Sequence, residues 1–220
     1  MNKTIILTST VNVNLNKECL IQVNKEERLQ LYIKSVLQWL NDTNFNIVLV
    51  ENSGYSFEEL ESEKKKYSER FEIISYKEDQ LTQASYLKND ISKGNSELFS
   101  LYYAYHNSKI ISNSIFVIKV TGRFFIPGLE EYLSNYDLNN YDCLTQNNRG
   151  RCEMVGSHIK NYNYIFSIIY MQNNPQFIGH VEDEYKYRTS QFESDRVLTC
   201  KDFEIEETQR GGVDMKYVNI

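Results

Sequence analysis

Proline and glycine are scarce: two prolines, Pro127 and Pro175, and nine glycines in 220 residues. No Gly/Ser/Pro-rich stretch divides the chain, which excludes a flexible linker and points to one domain. An excess of positive charge is also missing. A net charge of −6 argues against a general nucleic-acid binder, which needs basic surface to displace counterions from phosphates. It leaves room for a small basic pocket in an acidic shell. The four cysteines, Cys19, Cys143, Cys152 and Cys200, make no CxxC pair, and no histidine stands at zinc-finger distance, so reduced thiols are expected. No apolar run approaches the ~20 residues that span a bilayer. The opening run is too short for a signal peptide, so a soluble, cytoplasmic protein without a transmembrane segment is expected. GxxxxGK[ST], GxGxxG and GxSxG are all absent, which removes the simplest phosphate-loop, dinucleotide and hydrolase readings.

Tyrosine is abundant, at 17 residues, so aromatic bodies with polar tips can fill much of a core. The chain opens with an apolar strand from residue 4 that runs into small polar residues, Ser9 and Thr10. Leu29, Ile33, Val36, Leu37 and Leu40 recur at helical spacing over residues 25–41, with Asn24 as cap. A short apolar strand over 47–50, a charged helix over 57–70 and a strand over 71–76 follow. This β-α-β-α-β order predicts an α/β fold with a mostly parallel sheet flanked by helices.

Further along, 81–91 is weakly helical. A turn at 93–97 precedes a helix over 97–113 capped by Asn95 or Ser96. Strands are expected at 115–120, 141–145 and 152–155, and short helices at 129–133, 163–171 and 180–187. Residues 203–206 alternate like an edge strand, and 209–213 read as a flexible tail loop.

In open α/β sheets ligands bind beyond the C-terminal strand ends. Two such ends are chemically rich. Glu51, Asn52 and Ser53 follow the second strand and could read a base edge or a ribose hydroxyl, or merely cap the next helix. Lys119, Thr121, Gly122 and Arg123 end the fourth strand. Arg123 could grip a phosphate in bidentate fashion and Lys119 could serve as a point charge, or Lys119 could be paired with a buried acid. Lys93 and Gly94 resemble a tight loop before a helix whose N-terminus could face an anion. Glu97 is either a first-turn carboxylate or the partner of a cation such as Arg123. Arg28 sits in the first helical turn, against the helix dipole, and could reach the same pocket. His180, Glu182, Asp183 and Glu184 form an acidic cluster, either a solvated helix face or the source of a general base, with Glu182 the first candidate and Asp183 the reserve.

In this order, the polar end of the first strand, Val50-Glu-Asn-Ser-Gly54, Lys93-Gly94 with Glu97, and Lys119-Val-Thr-Gly-Arg-Phe124 resemble a group of small glycosyltransferases. These occur in bacterial surface-polysaccharide clusters and large DNA viruses. The resemblance implies a Rossmann-like, GT-A-type fold over residues 1–220, with 1–125 the nucleotide-sugar-binding half and 126–220 the acceptor-side half. It implies Ser9, Thr10, Glu51 and Asn52 around the nucleotide, and Lys93 and Gly94 bordering the sugar or phosphate. Lys119 and Arg123 stand near the place where most such enzymes carry an Asp-x-Asp metal motif. No Asp-x-Asp occurs there, which puts a Mg²⁺ or Mn²⁺ requirement in doubt. The implied partners are a nucleotide-sugar donor and a glycan acceptor. The competing readings are a non-catalytic nucleotide- or sugar-binding module and a virus–host interaction protein.

Overall fold

The computed structural model describes residues 2–168 and 180–220. Strands β1 (Lys3–Ser9), β2 (Asn46–Glu51), β3 (Phe71–Ser75) and β4 (Phe116–Thr121) run parallel in the order β3-β2-β1-β4. Beyond β4 lie β5 (Cys143–Thr145), β6 (Met154–His158) and β7 (Val197–Thr199), giving a seven-stranded sheet ordered β3-β2-β1-β4-β6-β5-β7. β6 is antiparallel to both neighbours, and β7 is parallel to β5. The expected mostly parallel α/β sheet is therefore present.

Strands buried on both faces need apolar residues at nearly every position. Ile5, Leu7, Ile47, Leu49, Ile118 and Val120 enter the core on one face. Ile6, Val48, Val50 and Val117 enter the core on the other. Helix α1 (Lys25–Asp42) covers the first face through Leu29, Tyr32, Val36, Trp39 and Leu40. Asn24 caps it, its side chain accepting from the Glu26 and Glu27 amides as the sequence suggested. Ser9 pairs with Glu51 and Thr8 with Thr121 across the sheet, so the ends of β1, β2 and β4 lie level and open on one edge.

Several element boundaries differ from expectation. Instead of a helix over 57–70, a 3-10 turn (Glu58–Leu60) leads into a short α2 (Glu61–Lys66), because buried Phe57 takes a left-handed backbone (φ 53°) before the turn. Residues 82–87 form only a 3-10 turn. Helix α3 (Lys93–Asn107) begins four residues early and is capped by Ser92, whose Oγ accepts from the Asn95 amide; Asn95 and Ser96 lie inside it. It ends early because Glu72 takes the Lys109 and Ile110 amides, starting a separate α4 (Lys109–Ser112). Helix α5 (Leu129–Ser134) and α7 (Val181–Thr189) fall near their expected places. Between them, α6 (Tyr162–Ile165) covers the start of the helix expected over 163–171, whose last three residues lie outside the described ones. The strand at 203–206 is no edge of the main sheet: β8 (Glu204–Gln209) pairs with β9 (Lys216–Asn219) in a hairpin of its own. Among the described residues, no helix is long and apolar enough to cross a membrane.

Candidate functional site

A cavity of about 920 Å³ opens at the C-terminal edge of β1, β2 and β4. One wall is the segment after β1, another the first turn of α3, and the β8–β9 turn closes it from above. Arg28, Lys93 and Arg123 all line it. Arg28 is buried, and its guanidinium donates to the Thr10 carbonyl (2.7 Å), the Gln22 carbonyl (3.0 Å) and the Tyr32 hydroxyl (2.7 Å). Lys93 Nζ donates to the Cys19 carbonyl (2.6 Å) and the Gly211 carbonyl (3.3 Å). Arg123 Nη1 donates to Gln22 Oε1 (3.0 Å), while its buried Nε has no partner.

Among the described residues, no carboxylate lies within 4.0 Å of any of these three cations. Burial, reinforced by the neighbouring positive charges, lowers the pKa of both Lys93 and Arg123. Among the described residues the hydrogen-bond partners of the three cations are neutral oxygens, with the Tyr32 ring beside Arg28 and the Phe124 ring beside Arg123. Positive charges held this way in a half-buried setting favour an anionic ligand.

Ser9, Thr10 and Asn52 line the same cavity. Their side chains are knitted together: Ser9 Oγ donates to the Val50 carbonyl, Thr10 Oγ1 to Asn52 Oδ1 (2.6 Å), and Asn52 Nδ2 to Glu78 (3.1 Å). Glu51 is placed differently. It is fully buried away from the cavity, accepting the amides of Val11, Ser53 and Tyr55 at 2.8–2.9 Å and the Ser53 hydroxyl. Burial pushes its carboxyl pKa up despite those donors. Glu51 therefore braces the loops that line the pocket and stands outside the lining itself.

Lys119 takes the second of its two readings. It is fully buried, does not line the cavity, and pairs with Glu97 (2.8 Å) while donating to the Cys152 carbonyl (2.6 Å). Burial alone would lower its pKa; Glu97, with Cys152 and Glu153 adding to it, tips the balance and raises it. The same contact explains why Arg123 lacks an acid, because Glu97, its candidate partner, is spent on Lys119. Lys93 and Gly94 belong to the first turn of α3 rather than to a loop before it. Gly94 is required by close packing, since a Cβ there would fall 2.6 Å from Val181 Cβ.

Acids line the cavity too, near enough to the cations that Glu182 acts to raise the Lys93 pKa and Glu153 that of Arg123, against the net lowering. Glu182 lines it and pairs with Arg210 (3.2 Å). Asp183 is exposed and does not line it. Glu153, which the sequence did not flag, lines it too, paired with Arg151 (3.0 Å) and Arg210 (3.7 Å). Arg210, Gly211 and Gly212 fall in the segment whose sequence suggests a flexible tail loop, yet they form the roof. A Cβ on Gly211 would fall 2.4 Å from Arg123 Nη2, so the backbone lies close against that guanidinium and a larger residue there would push it aside. A basic residue followed by two glycines was the available signal, a hint of backbone closing on an ion. Ser96, buried with an Oγ that has no partner among the described residues, also lines the cavity, where its sequence position suggests no more than a helix cap.

No family model matches the chain, and no curated protein matches it in sequence. Solved structures do resemble it. A glycosyltransferase involved in the glycosylation of the major capsid of PBCV-1 superposes with a TM-score of 0.51 at 9% identity, over 91% of this chain and 82% of that one. The galactosyltransferase LgtC, solved with donor and acceptor sugar analogs, gives 0.50 at 10% identity over 90% and 73%. A cytidylyltransferase from Leptospira borgpetersenii gives 0.51 at 13% identity over 99% and 82%. These likenesses show the fold, a Rossmann-like sheet of the GT-A type, shared by proteins of more than one activity.

Proposed function

We propose that the protein is a glycosyltransferase that moves a sugar from a nucleotide-sugar donor to a glycan hydroxyl. The observation that carries this reading is the convergence of Arg28, Lys93 and Arg123, none with a carboxylate partner, on one cavity at the sheet's C-terminal edge. Ser9, Thr10 and Asn52 beside them suit the nucleoside. In the proposed reaction the bond between the anomeric carbon and the phosphate oxygen breaks, and a bond to the acceptor oxygen forms. Arg123 and Arg28 stabilise the charge that grows on the departing phosphate. Glu182 accepts the acceptor's proton once its ion pair with Arg210 opens; Asp183, exposed and outside the cavity lining, takes no part. Lys119 and Glu51 support the pocket from behind.

A divalent ion needs oxygen donors. The turn after β4 offers Arg123 instead, and among the described residues no group of three His, Cys, Asp or Glu side chains could hold a metal. We read the site as working through its cations, and no step is assigned to such an ion. Surface-polysaccharide assembly is the setting the sequence resemblance implies.

The test is a thermal-shift screen of UDP-, GDP-, CMP- and dTDP-linked sugars, followed by a transfer assay in EDTA on any hit. A donor at a hundredfold above Kd adds about 2.7 kcal/mol, or roughly 5–10 °C in a chain of this size. Arg123→Ala abolishes both shift and transfer while the protein stays folded. Full activity in that variant removes the phosphate role, and activity that chelation destroys and Mn²⁺ restores removes the metal-free mechanism. One observation favours a second reading: Arg210 neutralises both Glu182 and Glu153. A binding module of that kind shows the thermal shift without transfer.

A further inference from the structure

The first turn of α3 carries more than the Lys93 ammonium. By helix geometry the Lys93 and Gly94 amides have no carbonyl to donate to within the helix, and the Ser92 cap takes only the Asn95 amide. Lys93 and Ser96 stand three residues apart, on one face of the helix. Both line the cavity. Ser96 is 6% exposed, and its Oγ has no hydrogen-bond partner. A buried hydroxyl left unpaired at the positive end of a helix is a donor awaiting an acceptor.

We infer that this turn is a second oxyanion subsite, formed by Lys93, the free amides of Lys93 and Gly94, and Ser96 Oγ. It takes one charged oxygen group of the donor beyond the phosphoryl held by Arg123. Both cations lie under the same short stretch of backbone. Ideal Cβ positions on the consecutive residues Gly211 and Gly212 fall 2.4 Å from Arg123 Nη2 and 3.4 Å from Lys93 Nζ respectively. The Gly211 and Cys19 carbonyls on Lys93 stand where oxygens of the second group would sit.

Two groups have this chemistry: the second phosphoryl of a nucleoside diphosphate, and a carboxylate on the transferred sugar of a nucleoside monophosphate donor. The inference rests on the nucleotide-sugar reading, and its test separates the two. Binding of nucleoside monophosphates, nucleoside diphosphates, CMP-N-acetylneuraminate and inorganic pyrophosphate is measured by calorimetry on the wild type, Ser96→Ala and Lys93→Met. Ser96→Ala deletes an unpaired group, so its melting temperature without ligand stays at or above that of the wild type.

The expected result is a loss of about tenfold or more for one two-anion ligand in both variants, with the monophosphate unchanged within twofold. Loss confined to diphosphates identifies the phosphoryl; loss confined to the acidic sugar donor identifies the carboxylate. Equal loss for the monophosphate, or no loss for any ligand, overturns the subsite while the function stands. Pyrophosphate binding that depends on Ser96, with no nucleotide bound, keeps the subsite and overturns the function. If none of the probes binds the wild type, both fall.

Discussion

Lys119 shows what a single residue can and cannot disclose from sequence. A lysine inside an apolar strand must be compensated, and both compensations, ligand anion and buried acid, are visible from the sequence alone. Which one holds depends on α3 packing Glu97 against β4, a tertiary contact that no local spacing encodes. The consequence is measurable. Lys119→Met strands Glu97 without its cation and costs about 3–5 kcal/mol in urea unfolding. Adding Glu97→Gln recovers much of the loss, because the uncompensated charge goes too. Nucleotide affinity of the folded fraction stays near wild type in the double variant, in contrast to Arg123→Ala; equal losses at both positions would return Lys119 to the ligand.

Asp142 provides a pH prediction at the same scale. Hydrogen bonds from Arg196, with Lys160 and Asn161 adding to them, hold its carboxyl well below the usual carboxylate range, and burial only partly opposes this. A folded pKa below the unfolded one means stability that is present above about pH 4 and is lost as the pH falls toward the folded value. Asp142→Asn therefore lowers stability at pH 7 and flattens its decline in acid, read from melting temperatures between pH 7 and pH 3. An unchanged acid slope would show that other carboxylates carry it.

Among the elements, the first half of the chain was the most legible. Apolar runs and 3.6-residue periodicity are local signals, and β1, α1, β2, β3 and β4 fall within a few residues of where the sequence puts them. The helix boundaries that moved did so for non-local reasons. Glu72 on β3 ends α3, and Ser92 outcompetes Asn95 and Ser96 as cap because Lys93 and Gly94 already fit the helix. The contact between α3 and α7 is tight at one point, where a Cβ on Gly94 would meet Val181 Cβ at 2.6 Å. Gly94→Ala pushes α7 outward and costs about 1–3 kcal/mol. Glu182, next to Val181, moves with it, so transfer falls as well. Val181→Gly restores stability to Gly94→Ala, whereas Val181→Ala does not, because the colliding atom is the Cβ itself. Restoration by Val181→Ala would place the clash elsewhere.

At the scale of the whole molecule, the cavity is assembled from segments far apart in the chain: the loop after β1, the start of α3, the turn after β4 and the β8–β9 turn. That is why the strand-end residues were legible and the roof was not; a hairpin's own sequence does not say which surface it covers. Oxygens of the chain itself, from Cys19, Gln22 and Gly211, hold the cavity's cations, with Arg123 Nε left unpartnered among the described residues. An entering anion must displace these oxygens, so ligand binding is coupled to both covering segments. Cys19 reports on this directly. All four cysteines are free; three are buried, and burial pushes Cys143 and Cys200 up to about 12 and Cys152 well above the ordinary thiol value. Only Cys19 is exposed, and it lines the cavity. Iodoacetamide therefore modifies the native protein at Cys19 first, and a saturating nucleotide slows that modification several-fold. Amide hydrogen exchange over residues 10–24 and 209–213 changes in the same titration, with the same midpoint. A nucleotide that binds yet leaves both the alkylation rate and the exchange of these segments untouched would place its phosphates somewhere other than under the β8–β9 turn.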